Sequence, residues 1–275
     1  MNKKYFLFRG CLIPTRLPFL ERSSLFVLDK LGVEYDQMPG ATCCVEPIGL
    51  RSLAEDTWLA VTARMLAIAE NSGRDILSLC NGCYLSLEES RQALEDESTR
   101  AEVNTVLGEM DLHYNGNVKV KHFAEIVKEA GEEKVRSLVS SSQDRFKLAA
   151  HPGCHMVRPS SKLKIDDSFA PKLLGQIASW CGSEVVVSEK WPKCCGGGIA
   201  GIDEKVSTRM LEDAASSFRP SGANCILTPC PFCFVQFDIR QKEGLPVLYL
   251  SELLALAFGA TPEQIGLKYH KTRLP

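Results

Sequence analysis

The sequence lacks the features that would tie it to a membrane, an export route or a nucleic acid. Its apolar runs fall short of the roughly 20 residues that a membrane helix needs, and the most apolar segment, 245–258, carries Glu252. The basic N-terminus is followed by four apolar residues before Arg9, whereas a signal peptide needs about seven or more. A net charge of −2 gives no electrostatic reason to bind nucleic acid. We therefore expect a cytoplasmic protein with no transmembrane segment and no nucleic-acid partner.

The sequence also lacks the C-x2-C-x2-C spacing of a ferredoxin module, although it contains twelve cysteines. A reducing cytoplasm does not sustain disulfides. Regularly spaced cysteines in such a compartment are more often metal ligands or redox centres. We therefore expect these cysteines to bind metal rather than to pair with one another.

Ten of the twelve cysteines form two sets of five with matching spacings. The first set follows the pattern C-x31-CC-x35-C-x2-C, and the second follows C-x39-CC-x34-C-x2-C. This agreement indicates an internal duplication, with a first domain over residues 1–143 and a second over residues 144–275. The first cysteine set is Cys11, Cys43, Cys44, Cys80 and Cys83, and the second cysteine set is Cys154, Cys194, Cys195, Cys230 and Cys233.

Short apolar segments alternate with helical periodicity in both halves, which predicts an α/β fold with a doubly wound, Rossmann-like parallel sheet in each half. Ser52 and Glu55 predict a capping box at the start of a helix that runs to Glu70. Another predicted helix ends before Gly131, and residues 140–143 are the predicted linker.

Each cysteine motif follows a predicted strand, one of them the strand over residues 184–188, and precedes a helix. In open α/β sheets, ligands bind beyond the carboxyl ends of the strands. Helix N-termini at that edge present free N–H groups and the positive end of the helix dipole. These groups would stabilise an anionic centre of iron, sulfide and thiolates.

Two kinds of metal site remain open at this stage. Zinc takes four ligands in a tetrahedron, commonly from two C-x2-C pairs, whereas each set offers five thiols, two of them adjacent in sequence. Adjacent side chains can bind two irons of a larger cluster more readily than they can share one small ion. The sequence favours iron–sulfur clusters, with zinc in one half as the alternative. In the second half, Gly196, Gly197 and Gly198 would let the backbone approach such a cluster closely.

The motifs resemble the cysteine-rich CCG domains of the heterodisulfide reductase B subunit over nearly the whole chain. One departure is Val45, which stands where the CCG pattern has glycine. The segments that carry the resemblance are Cys80-Asn81-Gly82-Cys83-Tyr84, Lys193-Cys194-Cys195-Gly196-Gly197-Gly198 and Cys230-Pro231-Phe232-Cys233.

The resemblance implies a catalytic subunit in which each cysteine set holds a non-cubane [4Fe–4S] cluster. The two clusters would face each other across the domain interface and reduce a disulfide, such as the heterodisulfide of coenzyme M and coenzyme B, to two thiols. Electrons would come from a ferredoxin-like subunit of the same complex, itself supplied by a flavin-containing subunit. The alternatives are a non-catalytic iron–sulfur relay subunit of a larger oxidoreductase and a structural module that holds zinc.

Two histidines bracket the first cysteine of the second set, in the segment His151-Pro152-Gly153-Cys154-His155. Imidazole has a pKa near neutrality, so either side chain can donate a proton to a departing thiolate. His151 and His155 are therefore the predicted catalytic residues. The alternative is a histidine that hydrogen bonds to the backbone beside the cluster.

Four basic residues flank the cysteine motifs and could bind an anionic group of a substrate. Arg16 and Lys193 are the predicted substrate-binding residues among them, and solvated surface charges are the alternative. Two cysteines have no counterpart in the other half, and we expect both to be buried core thiols. The acidic segment 88–109 is expected to be a solvated helical face or a docking surface for another subunit. The four basic residues are Arg9, Arg16, Lys190 and Lys193, and the two unmatched cysteines are Cys181 and Cys225.

Overall fold

The computed structural model describes residues 4–45, 47–186, 193–242 and 244–275, and its eight strands form two parallel sheets. The strands are β1 (Lys4–Phe8), β2 (Glu34–Gln37), β3 (Asp75–Ser78), β4 (Val120–His122), β5 (Lys147–Ala150), β6 (Glu184–Val186), β7 (Cys225–Thr228) and β8 (Val247–Tyr249). The sheet orders are β2-β1-β3-β4 and β6-β5-β7-β8. The equal order confirms the duplicated α/β fold that the sequence predicts.

Helices connect the strands in both halves. Those of the first half are α1 (Leu12–Arg16), α2 (Pro18–Leu31), α3 (Gly49–Leu53), α4 (Glu55–Asn71), α5 (Asn81–Ala93), α6 (Glu97–Gly108) and α7 (Phe123–Leu138). Those of the second half are α8 (Cys154–Val157), α9 (Leu173–Trp180), α10 (Glu204–Phe218), α11 (Pro231–Phe234), α12 (Leu250–Ala257) and α13 (Pro262–Ile265). A π-helix (Val235–Arg240) continues α11. In the described residues, no helix combines the length and the apolar character needed to cross a bilayer.

The apolar core consists of two clusters, and each of them contains residues of both halves. Helix α2 packs on α12, α5 on α8 and α7 on α9, so each of these contacts joins the first half to the second. The hydroxyl of Ser23 lies 2.7 Å from that of Ser251 at the buried α2–α12 contact. One cluster of buried residues includes Trp58 from the first half and Leu254 from the second. The two halves therefore stabilise each other through buried contacts. The domain boundary between residues 143 and 144 stays a prediction.

One predicted helix start is wrong. Ser52 does not cap a helix, because residues 49–53 form the short helix α3, within which the Ser52 hydroxyl donates to the Ile48 carbonyl at 2.6 Å. Helix α4 begins after Ala54 without a capping side chain. By contrast, the helix that is predicted to end before Gly131 does end there: Gly131 is non-helical, with φ 83° and ψ 163°, and a second helical segment of α7 follows across this kink. Strand β6 confirms residues 184–186 of its prediction, and residues 187–188 lie outside the described residues.

Candidate functional site

In each half the first cysteine and the C-x2-C motif lie at the carboxyl ends of the two central strands, and the adjacent cysteine pair comes after an edge strand, β2 or β6. Cys11 precedes α1 and Cys80 precedes α5, so each stands at a strand-to-helix turn. Cys154 begins α8 and Cys230 precedes α11 at the matching positions of the second half. The backbone angles of the two C-x2-C motifs repeat as well, with φ −126° and ψ 131° at Cys80 and φ −119° and ψ 120° at Cys230. The duplication therefore extends to the conformation of the cysteine turns.

Each cysteine set lines one pocket completely. All five cysteines of the first set line a pocket with about 390 Å³ of empty space. All five of the second set line a neighbouring pocket with about 500 Å³. Pro47, Gly82 and Phe232 line both pockets and form the wall between them. The two thiol-lined pockets are therefore adjacent. Gly82 and Phe232 belong to the motifs identified in the sequence, but the sequence did not predict any of the three as a site residue.

The sulfur atoms within a set are close without being bonded. The Sγ atoms of Cys195 and Cys233 are 3.3 Å apart, whereas a disulfide bond is about 2.05 Å long. All twelve cysteines lie in the described residues and are free thiols. Cys181 and Cys225 are buried, and burial raises the pKa of both, which confirms them as core thiols.

Shared protons perturb the thiol pKa values in the same way in both halves. The Cys11 thiol hydrogen bonds to Cys43, which lowers the pKa of Cys43 and raises that of Cys11. Cys154 and Cys194 repeat this pair, with the pKa of Cys194 lowered and that of Cys154 raised. Five thiolates this close repel one another, so a bound cation is what would let them all ionise.

The two cysteine sets meet at one pair of side chains. The thiol of Cys230 hydrogen bonds to Cys80, and this contact is the foremost cause that lowers the pKa of the buried Cys80. Beside this pair, the Tyr249 hydroxyl donates to the Leu79 carbonyl. The Asn81 amide also crosses between the halves, donating to the Pro152 carbonyl at 2.7 Å. Sequence spacing carried no signal for the Cys80–Cys230 contact, because it depends on how the halves pack.

Glycines bring the backbone close to the cysteines at two matching positions. Gly10 has φ +66°, and a Cβ there would lie 2.6 Å from the Cys83 sulfur. Gly153 has φ +72°, and its Cβ would lie 3.5 Å from the Cys233 sulfur and 2.6 Å from the Asn81 amide nitrogen. Both positions therefore require glycine, for conformation and for space.

The glycine run after the second cysteine pair also serves the packing of a helix, beside the predicted close approach to the cysteines. A Cβ at Gly196 would lie 2.7 Å from the Ser207 carbonyl oxygen, so this glycine permits close packing on α10. Gly197 and Gly198 are the members beside the cysteines: a Cβ at Gly197 would lie 3.5 Å from the Cys195 sulfur, and Gly198 lines the second pocket. In the first half, Val45 adopts the same left-handed conformation, with φ 55° against 74° at Gly196.

One hydrogen bond fixes the second cysteine of each adjacent pair. The Ser86 hydroxyl donates to the Cys44 carbonyl at 2.8 Å. In the second half, the Gln236 amide donates to the Cys195 carbonyl at 2.6 Å. Both side chains lie on the helical segment that follows the C-x2-C motif of their own half, so the segment after each C-x2-C motif holds the adjacent pair in the same way.

The two predicted histidines occupy different environments. His155 lines the second pocket. His151 is 1% exposed, and burial lowers its pKa to about 4, so the imidazole is neutral near pH 7. The structure thus brings His155 to the pocket surface and buries His151 beside the second cysteine set. A catalytic role for either residue stays a prediction.

Among the described residues, Arg9 is the one Lys or Arg that lines either of the two thiol-lined pockets. It lies in the first pocket, with its guanidinium 3.1 Å from the Glu21 carboxylate. Arg16 is exposed and lies away from both pocket linings, and the exposed Lys193 forms an ion pair of 3.3 Å with Asp213. Substrate binding by Arg16 and Lys193 stays a prediction. Lys190 lies outside the described residues.

The acidic segment 88–109 is solvated only in part. Glu89 is 8% exposed and forms an ion pair with Arg51, so the prediction of a solvated face is wrong at this position. Glu88 accepts two hydrogen bonds of 2.9 Å from Arg91. Glu95 and Glu97 are exposed. Docking of another subunit on this segment stays a prediction.

Comparison with known proteins matches both halves to one family. The CCG family, a cysteine-rich domain, matches residues 5–88 and 148–238. The chain is 37% identical to the B subunit of the Ferredoxin/F(420)H(2)-dependent CoB-CoM heterodisulfide reductase of Methanosarcina acetivorans, over 96% of this chain and 92% of that protein. It is 33% identical to a protein of Archaeoglobus profundus that is named as similar to the heterodisulfide reductase B subunit, over 96% and 93%.

Two further matches extend the comparison. The chain is 29% identical to the 8-methylmenaquinol:fumarate reductase membrane anchor subunit of Wolinella succinogenes, over 98% of this chain and 97% of that protein. A crystal structure of a hypothetical protein from Helicobacter pylori matches with a TM-score of 0.75 at 16% identity, over all of this chain and 53% of that one. This chain spans about half of that protein, and the likeness supports the fold alone. The chain matches the CCG cysteine-rich domain twice and is 37% and 33% identical to the two relatives named first, over nearly its whole length. It therefore belongs to the family of heterodisulfide reductase B subunits.

Proposed function

We propose that this chain is the catalytic B subunit of a heterodisulfide-reductase-type complex, which reduces a disulfide to two thiols. The observation that carries the proposal is the pair of adjacent pockets, each lined by one complete cysteine set and separated by a wall of three residues. Relatives at 37% and 33% identity bear names of heterodisulfide reductase B subunits, which supports the same reaction.

Each cysteine set would hold one non-cubane [4Fe–4S] cluster. The donor set supports this assignment, because soft thiolates select iron–sulfur centres, zinc or Cu(I), and five thiols exceed the four that tetrahedral zinc uses. Clusters of this kind supply single electrons and iron atoms that can bind sulfur. Two adjacent centres match a disulfide, whose reduction takes two electrons and two protons. Zinc in one half is the alternative that metal analysis excludes or supports.

The protein would place the disulfide at the wall between the pockets. Phe232 and Pro47 line both pockets and offer apolar surface that keeps water from the reacting sulfurs. His155 lines the second pocket and would donate a proton to a thiolate product, with the neutral His151 behind the cysteines. Arg9, in the first pocket, would attract an anionic substrate group.

The remaining parts of the reaction lie at the surface and in partner proteins. Arg16 and Lys193 would attract the anionic substrate from the surface, since both side chains are exposed. Electrons would come from a ferredoxin-like subunit of the same complex, which a flavin-containing subunit supplies. Such an arrangement requires a docking surface on this chain, for which the acidic segment 88–109 is the candidate.

A second candidate function is electron relay without disulfide chemistry. The relative at 29% identity is named as the membrane anchor subunit of an 8-methylmenaquinol:fumarate reductase. That name mentions no disulfide, which favours a relay role for this second candidate. In a relay, the two centres would pass electrons between partner proteins, and the wall between the pockets would bind no substrate.

The test begins with metal analysis of protein purified without oxygen. We expect about eight irons and eight sulfides per chain for two clusters, and zinc without sulfide would contradict the proposal. The reduced protein is then mixed with coenzyme M–coenzyme B heterodisulfide, and the released thiols are counted. Release of two thiols per disulfide supports catalysis, whereas full reoxidation by an artificial acceptor without thiol release supports relay. Cys181→Ser, which removes a buried thiol outside both sets, is the matched control and should behave as the native protein.

A further inference from the structure

His151 has a buried ring whose hydrogen-bonding capacity is unused. Within the described part of the chain, neither ring nitrogen has a hydrogen-bond partner. The ring packs edge-on against Phe237 and Phe218, with centroids 5.0 and 5.9 Å away, and these rings offer no acceptor oxygen. A neutral imidazole carries one N–H, and leaving that donor buried without an acceptor destabilises the fold.

The polar groups beside this ring are thiols of the second cysteine set. One ring nitrogen of His151 and the Sγ atoms of Cys195 and Cys233 all lie within 4.8 Å of one another. Cys194 also lies close enough to the imidazole for its charge to raise the pKa of His151, against the larger opposite effect of burial. A sulfur of this centre is therefore the acceptor that the ring N–H of His151 can reach.

The first half has no imidazole at the matching position. Phe8 pairs with Ser78 between β1 and β3. The backbone N–H of His151 donates to the Leu227 carbonyl at 2.8 Å, one residue beyond the Ala150–Leu227 pair of β5 and β7. Phe8 and His151 thus share one register position in the two sheets, three residues before the first cysteine of each set. A phenyl ring carries no N–H, so this hydrogen-bond donor belongs to the second half.

We propose that His151 is a positioning residue that donates a hydrogen bond to an anionic sulfur of the second centre, and that this bond makes the second centre easier to reduce than the same centre without the donor. The inference rests on the proposed function, because it requires iron–sulfur centres in both pockets. Hydrogen bonds to cluster sulfurs are among the factors that set reduction potentials. A donor stabilises the reduced state more, since that state carries more negative charge. The donor would therefore raise the reduction potential of the second centre.

The test compares midpoint potentials in the iron-loaded full chain, measured by an anaerobic redox titration followed by electron paramagnetic resonance. His151→Phe installs the residue of the first half and should shift one potential to more negative values while the other stays in place. We expect the electron distribution between the centres to change about tenfold, which is about 59 mV for a one-electron couple. His151→Gln keeps an N–H donor and should retain most of the native potential.

Two further variants assign the signals. Cys195→Ser removes a side chain of the second set, so the signal that it perturbs belongs to the second centre. His122→Phe removes a buried histidine of the first half whose Nδ1 accepts the Ala124 N–H at 3.1 Å. This control should leave the potential of the second centre unchanged.

The outcomes separate this inference from the proposed function. Native protein without iron would overturn both. Two iron–sulfur centres with potentials unchanged by His151→Phe would overturn the hydrogen bond alone. If His151→Phe lowers the iron content, His151→Gln decides: native iron with a native potential supports the donor role, and a folded variant that lacks half its iron identifies His151 as a ligand and overturns it.

Discussion

The two halves share strand order and cysteine spacing, but they surround their cysteines differently. In the first set Cys11 and Cys43 are exposed, whereas in the second set Cys154 is half-buried and Cys194 is exposed. Aromatic rings crowd the second set, where Phe237 packs on His151. Solvent exposure and hydrogen bonding both tune iron–sulfur centres. Duplication therefore kept the positions of the thiols and changed their surroundings, and two centres built this way would not be equivalent.

The helices after the two C-x2-C motifs show the same divergence. In the first half α5 is a regular helix, whereas α11 passes into the π-helix Val235–Arg240. This π-helix carries Asp238, whose carboxylate accepts the N–H groups of Lys271 and Thr272 at 2.9 and 3.0 Å. π-Helical turns are frequent at functional sites. Here the irregular helix anchors the C-terminal tail against the second half, beside the second cysteine set.

Removing a cysteine at the junction should have the largest effect. Cys230→Ser is expected to reduce iron to about half of the native content and to abolish disulfide reduction, because the second set loses one of its five thiols. Cys80→Ser should do the same in the first half. Since Cys230 hydrogen bonds to Cys80, each variant should also alter the electron paramagnetic resonance signal of the remaining centre. Iron analysis and spectra check this, with Cys181→Ser as the control. An unaltered signal would mean that the halves act independently.

Alanine substitutions at Gly10 and Gly153 should have a smaller effect than loss of a cysteine, and the effect should differ between the two halves. Each substitution forces a left-handed conformation that costs about 1–2 kcal/mol. Gly10→Ala also drives a Cβ to 2.6 Å from the Cys83 sulfur, so it should lower the iron content of the first centre. Gly153→Ala meets the Asn81 amide at the same distance and should mainly break the hydrogen bond between Asn81 and the Pro152 carbonyl. Iron per chain and the denaturation midpoint check both. Equal iron loss in the two variants would contradict the distinction.

The cysteine turns within each half could be predicted from the sequence, whereas the contacts between the halves could not. The cysteine turns were predictable because a strand, a cysteine motif and a helix follow one another within a few residues. The Cys80–Cys230 contact joins residues that are far apart in the sequence, and it depends on the packing of α2 on α12 and of α5 on α8. The prediction of a capping box at Ser52 was wrong because Ser52 lies inside the short helix α3, where its hydroxyl donates to the Ile48 carbonyl.

A third prediction concerns the pH dependence of stability in the second half. The imidazole of His270 is buried and lies 2.8 Å from the Glu252 carboxylate. Burial opposes a charge on the imidazole, but the carboxylates of Glu252 and Asp238 outweigh it and raise the pKa of His270 above 6.5. The folded state then binds the proton more tightly, so this contribution is fully present below pH 6.5 and is lost as pH rises through the raised pKa.

Urea denaturation at several pH values measures this effect. The free energy of unfolding should fall above about pH 6.5 by at most about 1.4 kcal/mol per pH unit for this one group. His270→Gln should remove that part of the slope. A slope identical to that of the native protein would show that His270 is not charged in the folded state. The His270 ring packs on Phe19 of the first half and Phe234 of the second, so the pH effect should appear in the unfolding of the whole chain.

The smallest effect is expected at the residue that departs from the glycine pattern. Val45 has φ 55°, which a β-branched side chain adopts at a cost of about 1–2 kcal/mol. Val45→Gly relieves this strain, but it also removes a half-buried side chain and adds up to about 1 kcal/mol of unfolded-state entropy. These effects nearly cancel, so the free energy of unfolding should change by less than about 1 kcal/mol. Urea denaturation of the variant beside the native protein measures the change.

The reciprocal substitution, Gly196→Val, sharpens this comparison, because the two left-handed positions are packed differently. A Cβ at Gly196 would lie 2.7 Å from the Ser207 carbonyl oxygen of α10, so this variant should destabilise the chain clearly more than Val45→Gly does. At Val45 the neighbouring helix makes a polar contact instead: the Ser86 hydroxyl, which donates to the Cys44 carbonyl, also lies 3.0 Å from the Val45 carbonyl oxygen, and this contact does not depend on the side chain at position 45. Equal destabilisation by the two variants would show that α10 yields to a side chain at Gly196, and that glycine stands there for its conformation alone.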